Sequence, residues 1–267
     1  EDYCMGEIIQ TEDDCIGIFA LADGMGGHKK GEVASKIAVD SIIDFLKENI
    51  LKSCGIKMDY LDDVIKQGYN YANQKIFDKV SEDSSCEGMG TTLVVAVIYK
   101  DDMIMANVGD SRGYLLHNDE FRRITRDHSV VEELVNANLI TEEEARVHPR
   151  RNQITRAMGA EEIIIVDIFR KKIEKGDMIL LATDGLTGCV EDEDIKNIKN
   201  PNTHLLRAFL KYGKDNFYRI TLKEFNNYQD ALDLERWLVT EEFIKDNLNY
   251  NSTVGGGLPP KNTIKIY

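Results

Sequence analysis

The sequence predicts an α+β fold in which helices cover antiparallel sheets. Helical and strand-like patterns fall in separate blocks, and the links between successive strand-like runs are too short for parallel crossovers. At 267 residues the chain can bury about 70–75% of the surface its unfolded form exposes, so its core needs no disulfide support.

In chain order, residues 3–10 and 15–22 read as strands, and the turn-forming Asp13-Asp14 between them predicts a hairpin. Val33, Ala34, Ile37, Ala38, Ile42, Phe45 and Leu46 recur at helical spacing, as do Leu61, Val64, Ile65, Gly68, Ala72, Ile76 and Val80. Both segments predict amphipathic helices with one buried face. From Thr91 the period shortens. Runs at 92–99, 103–108, 112–116 and 121–124 are separated by Lys100-Asp101-Asp102 and His117-Asn118-Asp119, which predicts an antiparallel meander. A helical patch at 129–139 precedes Thr141-Glu-Glu-Glu144, a capping-box pattern that opens a short helix. Strands are expected at 163–169 and 178–182, joined through Lys175-Gly176-Asp177. The tail has helical patterns near 203–212 and 231–248, an Asn-Pro break at 200–201, the loop Gly255-Gly256-Gly257 and a strand-like run from Thr263 to Tyr267.

Composition narrows the function. The chain carries 33 Lys+Arg against 47 Asp+Glu, a net charge of −14. That balance argues against a nucleic-acid partner, because such affinity rests on cations neutralising phosphates. It equally repels a phosphorylated substrate unless something inverts the sign locally, and bound divalent cations do so. The longest apolar run, Leu93 to Tyr99, is too short to span a membrane. Cys4, Cys15, Cys54, Cys86 and Cys189 are scattered without a C-x-x-C pair, which predicts reduced thiols in a cytoplasmic protein. The opening Glu-Asp-Tyr-Cys shows no basic, apolar leader, and its lack of Met implies residues upstream.

Three aspartates share one context: each ends an apolar strand-like run beside a glycine. Ala22 leads into Asp23-Gly24, Val108 into Gly109-Asp110, and Ala182-Thr183 into Asp184-Gly185. One Asp-Gly is ordinarily a turn. Three at neighbouring strand ends, with Glu1-Asp2 as a fourth acidic element, would form a hard-oxygen cluster of the kind Mg²⁺ or Mn²⁺ takes. No cysteine is followed by Arg at the sixth position, which excludes a phosphocysteine loop.

Seven motifs then carry a family resemblance: Asp23-Gly-Met-Gly-Gly-His28, Gly90-Thr-Thr92, Asn107-Val-Gly-Asp-Ser-Arg112, Thr125-Arg-Asp-His-Ser129, His148-Pro149, Thr155-Arg-Ala-Met-Gly159 and Ala182-Thr-Asp-Gly-Leu186. In order and spacing they resemble the metal-dependent, type 2C serine/threonine protein phosphatases, bacterial members most closely, over residues 1–195; residues 196–267 diverge. The resemblance implies one catalytic domain over 1–267, built as a four-layer αββα sandwich of two antiparallel sheets flanked by helices, with the metal site at one edge between the sheets. It implies two Mn²⁺ or Mg²⁺ ions, with a third held more weakly, and attack by metal-activated water. Asp23 matches the bridging ligand, Gly24 a carbonyl ligand, Asp184 a further ligand of the pair, and Asp110 a ligand of the third ion together with Asp184. Asp2 matches the end of an acidic motif that acts through metal-bound water. Residues 126–156 resemble the flap beside the active site, with His148 and Arg156 in its motif positions. His28 is either a helix opener or a catalytic group, and Arg112 is expected to pair with nearby carboxylates.

The tail departs from the pattern. The family closes on Asp-Asn-Ile-Thr, whose Asp completes the metal pair, whereas this chain closes on Lys261-Asn-Thr-Ile-Lys-Ile-Tyr267. Asp215-Asn216 and Asp246-Asn247 are the substitutes in the tail, and Asp215 has the better claim because a strand-like run follows it directly. The family's phosphate-holding Arg would lie before Glu1. The expected function is hydrolysis of phosphoserine and phosphothreonine, with a serine/threonine kinase and its targets as partners, on a monomer with no nucleic acid or membrane. The alternatives are a regulatory module of the same fold with an impaired metal site, and a phosphatase of small metabolites.

Overall fold

The computed structural model describes residues 1–10, 15–26, 28–52, 57–118 and 120–188. These belong to one compact unit, Glu1–Val190. The expected helices at 203–212 and 231–248 and the closing strand lie outside the described residues, as do Asp215, Asp246 and Lys261.

The chain runs β1 (Tyr3–Gln10), β2 (Cys15–Ala22), β3 (Gly24–Met25), α1 (His28–Lys52), α2 (Met58–Glu82), β4 (Gly90–Thr91), β5 (Leu93–Tyr99), β6 (Asp102–Val108), β7 (Arg112–His117), β8 (Glu120–Arg123), α3 (Val130–Asn136), α4 (Glu142–Val147), β9 (Asp167–Lys172), β10 (Met178–Ala182) and α5 (Asp184–Thr187). One antiparallel sheet has the order β1-β2-β5-β6-β9, a second the order β10-β7-β8, and β3 pairs with β4. The expected capping box forms: Thr141 Oγ1 accepts from Glu144 N at 3.2 Å, and Glu144 Oε2 accepts from Thr141 N at 2.8 Å.

Strand alternation builds two cores. On β5 and β6, Leu93, Val95, Val97, Ile104, Ala106 and Val108 pack toward α1 and α2 with Ile42, Leu46, Ile65 and Tyr69. Ala96, Met103 and Met105 point the other way, toward Leu115 and Ile124 of the second sheet's side. Burial on both faces explains why β5 reads as an unbroken apolar run. Helices, five-stranded sheet and three-stranded sheet are thus the described layers of the α+β sandwich.

Two expectations are corrected. The runs from 92 to 124 do not form one meander, because β5 and β6 pair in the first sheet while β7 pairs with β10 and β8 in the second. The change of sheet occurs at Gly109, whose φ of +107° only glycine adopts without strain. The strand expected at 163–169 is β9 at Asp167–Lys172. Its partner β6 ends at Val108, with Asn107 opposite Asp167, so residues 163–165 lie beyond the end of that ladder. Ile163 and Ile165 remain 79% and 66% exposed there.

Close backbone approach fixes the turn after β2. A Cβ on Gly24 would lie 2.0 Å from the Gly31 carbonyl oxygen, whereas one on Gly185 would meet nothing nearer than Thr183 Oγ1 at 3.6 Å. Gly24→Ala is therefore expected to destabilise the fold by about 1–3 kcal/mol or more, and Gly185→Ala to leave thermal unfolding nearly unchanged. Equal melting shifts for the two variants would contradict this packing.

Candidate active site

Strand register brings the acidic residues to one sheet edge. Tyr3 pairs with Ala22, so Asp2 stands one step beyond, across from Asp23. Leu21 pairs with Val94, so two steps on Asp23 stands beside Thr92, and Leu93 pairs with Val108, so one step on Thr92 stands beside Gly109. In the second sheet Ala182 pairs with Arg112, and the chain leaves β10 into Thr183-Asp184.

Hydrogen bonds hold these ends. Thr92 N and Thr91 Oγ1 donate to the Asp23 carbonyl at 2.9 and 2.8 Å, and Asp23 N donates to Thr92 Oγ1 at 2.9 Å. Thr92 Oγ1 also lies 2.6 Å from Ser111 Oγ, linking the Asp23 turn to the one that carries Asp110. Thr183 Oγ1 donates to Asp2 Oδ2 at 3.2 Å, and Ser35 Oγ donates to the Glu1 carbonyl at 2.6 Å.

The cluster is electrostatically frustrated. Burial, together with the charges of Asp2 and Asp184 and hydrogen bonds to both, pushes the Asp23 carboxyl up to about 8. Burial also pushes Asp110 up to about 6, with the charges of Asp127 and Asp184 adding to it and Arg112 opposing. Asp184 therefore faces both Asp23 and Asp110. Such a cluster takes up either a proton or a cation. Among the described residues no three His, Cys, Asp or Glu side chains surround a single point at cation range. Asp23 is instead paired with Asp2 and with Asp184, each of which acts on its carboxyl through charge and a hydrogen bond.

Arg112 behaves as expected. Its Nε donates to Asp127 at 3.0 and 2.9 Å and its Nη2 at 2.7 Å, a bidentate pair whose acid is buried. This guanidinium is committed to the fold. His148 accepts from Arg150 N at 3.1 Å. Arg156 Nη1 donates to Asp167 Oδ1 at 3.0 Å. Sequence reasoning assigned no role to Thr183, His128 or Asp167. His128 stood inside a quoted motif, whereas Asp167 stood in none, and only the pairing of β9 on β6 brings it to the site.

A sequence model described as protein phosphatase 2C matches residues 1–231. The chain belongs to the protein phosphatase 2C family. It is 37% identical over 235 residues to the serine/threonine phosphatase stp of Listeria welshimeri, covering 85% of this chain and 92% of that one. Among solved structures it resembles serine/threonine phosphatase Stp1 from Staphylococcus aureus (TM-score 0.64, 36% identity, 73% of this chain and 75% of that one). It also resembles the catalytic domain of the phosphatase PstP in complex with two manganese ions (TM-score 0.57, 30% identity, 74% and 83% covered). The chain is accordingly a protein serine/threonine phosphatase of the bacterial type 2C kind. The family match runs past residue 195, where the legible motifs end, and takes in Asp215 but not Lys261.

In metal-free protein Asp23 holds its proton more tightly when folded, about 8 against an ordinary 3.8. Its stabilising contribution is complete below the unfolded value and is lost as pH rises through that window. Asp23→Asn should therefore raise the melting temperature of EDTA-treated protein at pH 8 by about 2–4 °C, roughly 1 kcal/mol after allowing for partial exposure, and leave it unchanged near pH 4. Melting curves across this range check the sign.

Proposed function

We propose that this phosphatase hydrolyses phosphoserine and phosphothreonine with two Mn²⁺ or Mg²⁺ ions held by Asp23, Asp184, the Gly24 carbonyl and the tail residue Asp215, with Asp2 acting through bound water and Asp110 serving a third, weaker ion. The observation that carries this reading is the Asp2–Asp23–Asp184 cluster, in which one carboxyl shares contacts with two others in a partly buried site. Its donors are all hard oxygens, which suits these cations. When bound, such a pair supplies hydroxide near neutral pH and neutralises the phosphoryl oxygens.

The chain's own residues set the geometry. Thr91 and Thr92 clamp the Asp23 backbone, Thr183 orients the Asp2 carboxylate, and Ser111 ties the Asp110 turn to Thr92. Arg112, saturated by Asp127, braces the wall beside Asp110 rather than gripping phosphate. Asp215 is favoured over Lys261 because the family match ends at residue 231. The reading as a regulatory module with an impaired metal site rests on Lys261 and the unusual tail, and Lys261 lies beyond the family match. The partners that follow are phosphorylated proteins and the serine/threonine kinase that modifies them. Among the described residues no helix is long and apolar enough to cross a membrane. A monomeric, cytoplasmic enzyme is the simplest form of this proposal.

Hydrolysis of p-nitrophenyl phosphate and of a phosphothreonine peptide is expected to stop with EDTA and return with Mn²⁺. Asp23→Asn and Asp184→Asn should each lower kcat by about 10²–10³-fold or more, the scale of losing a preorganised charge-stabilising group. Full activity of Asp23→Asn, or activity indifferent to EDTA, would remove the basis of this mechanism.

A further inference from the structure

The Asp110 turn is held from one direction in an unusual way. Gly109, immediately before Asp110, has both backbone polar groups engaged by one residue. Gly109 N donates to His128 Nδ1 at 3.1 Å, and the Gly109 carbonyl accepts from His128 N at 2.9 Å. The same carbonyl accepts from Asn107 Nδ2 at 3.1 Å. His128 is only 4% exposed, so water does not compete for these bonds.

The bonds also fix the imidazole tautomer. A backbone N–H can only donate, so Nδ1 is the bare nitrogen and the ring proton sits on Nε2. That nitrogen lies 3.2 Å from Asp167 Oδ2, which accepts its proton. Arg156 Nη1 lies 3.3 Å from the same nitrogen and donates to the other Asp167 oxygen at 3.0 Å. The two donors flank one carboxylate and do not bond to each other. Thr155 N donates to the His128 carbonyl at 2.7 Å, and Ser129 bridges to Ile154. His128 therefore sits where both ends of the segment 126–156 meet the Asp110 turn.

We infer that His128 is a positioning residue for Asp110: its Nδ1 sets the Gly109 backbone, and through it the Asp110 carboxylate, while Asp167, itself held by Arg156, accepts from the ring's other nitrogen. This rests on the reading above that Asp110 is a cation ligand. The geometry resembles that of an outer-shell group that orients a ligand without touching the metal, the kind whose loss costs about 10–100-fold in metal affinity. A packing role alone would ask only for a ring-sized side chain and would be indifferent to which nitrogen accepts.

Amide variants separate the two roles. In His128→Asn the side-chain oxygen can stand where Nδ1 stood and accept from Gly109 N. In His128→Gln the amide reaches toward Asp167 but leaves Gly109 N without that acceptor. Both remove the imidazole and should lower the metal-free melting temperature to a similar degree. Mn²⁺ binding to the full 267-residue chain, followed by the loss of the free-ion electron paramagnetic resonance signal, is the deciding measurement, with Asp110→Asn as reference. Asp110→Asn is expected to remove the weakest class of bound Mn²⁺. His128→Gln should weaken that class by about tenfold or more, and His128→Asn by much less. Equal weakening by both His128 variants, or none by His128→Gln while Asp110→Asn still acts, would overturn the inference and leave the Asp110 assignment standing. Unchanged binding in Asp110→Asn would overturn that assignment and the inference with it.

Discussion

The structure depends on a conflict that the sheets impose. Pairing in the first sheet is set by an apolar core that needs Ile16, Ile18 and Ala20 on one side of β2 and Val95 and Val97 on the same side of β5. A slip of one residue would turn every one of these to the wrong face, so the register is held by many buried side chains together. That register leaves Asp2, Asp23 and the Asp110 turn at one edge, with Asp184 arriving from β10. Carboxylates that would separate in solution are held together because the hydrophobic layers beneath them cannot shift. Repulsion at the edge is thus maintained by burial elsewhere, and the stored tendency to take up positive charge is what makes the site useful.

Much of this was legible in the sequence. β1 and β2 fall where the alternation placed them, and α1 and α2 contain the predicted helical stripes. The strand-end aspartates were recognisable because an apolar run, an Asp and an adjacent glycine are all local features. What was not legible is non-local. Whether β7 continues one sheet or begins another is decided by the turn at Gly109, and both outcomes share the same hydrophobic pattern. The apolar run Ile163-Ile164-Ile165 has strand character but no partner, because β6 has already ended. Asp167 gave no signal at all, since its neighbours in sequence are unremarkable and its role comes from a strand that pairs across the sheet.

Charge placement resolves the tension noted at the outset between a net charge of −14 and a phosphorylated substrate. Two arginines at the site are not free to substitute for metal ions. Arg112 is saturated by the buried Asp127, and Arg156 is turned onto Asp167. Among the described residues Arg112 and Arg156 are each matched by a carboxylate, Asp127 being shared with Arg123 and Asp167 with His128, so paired side chains stand around a core of unneutralised acids. An arginine released from its partner would compete for the same carboxylates and fill the site with a fixed charge. Keeping the arginines paired preserves the cluster's demand for mobile cations.

The same economy explains why the segment 126–156 is anchored where it is. Its two ends close on each other through Val130 N to the Gln153 carbonyl and Thr155 N to the His128 carbonyl, at 2.9 and 2.7 Å. A long excursion closed at its base can vary along its length without disturbing what lies below. Here the base is also bonded to the Gly109 turn, so the part of the excursion that cannot vary is the part nearest the acids. Asn73 secures the far side, with its Nδ2 donating to the Glu161 carbonyl at 2.9 Å and its Oδ1 accepting from Gly159 N at 2.7 Å. The excursion is therefore fastened to α2 through the segment after it and to β6 through its root. A change in its outer part can therefore be passed toward the acidic edge through the bonds at its base, those of His128 to Gly109 and of Asp127 to Arg112.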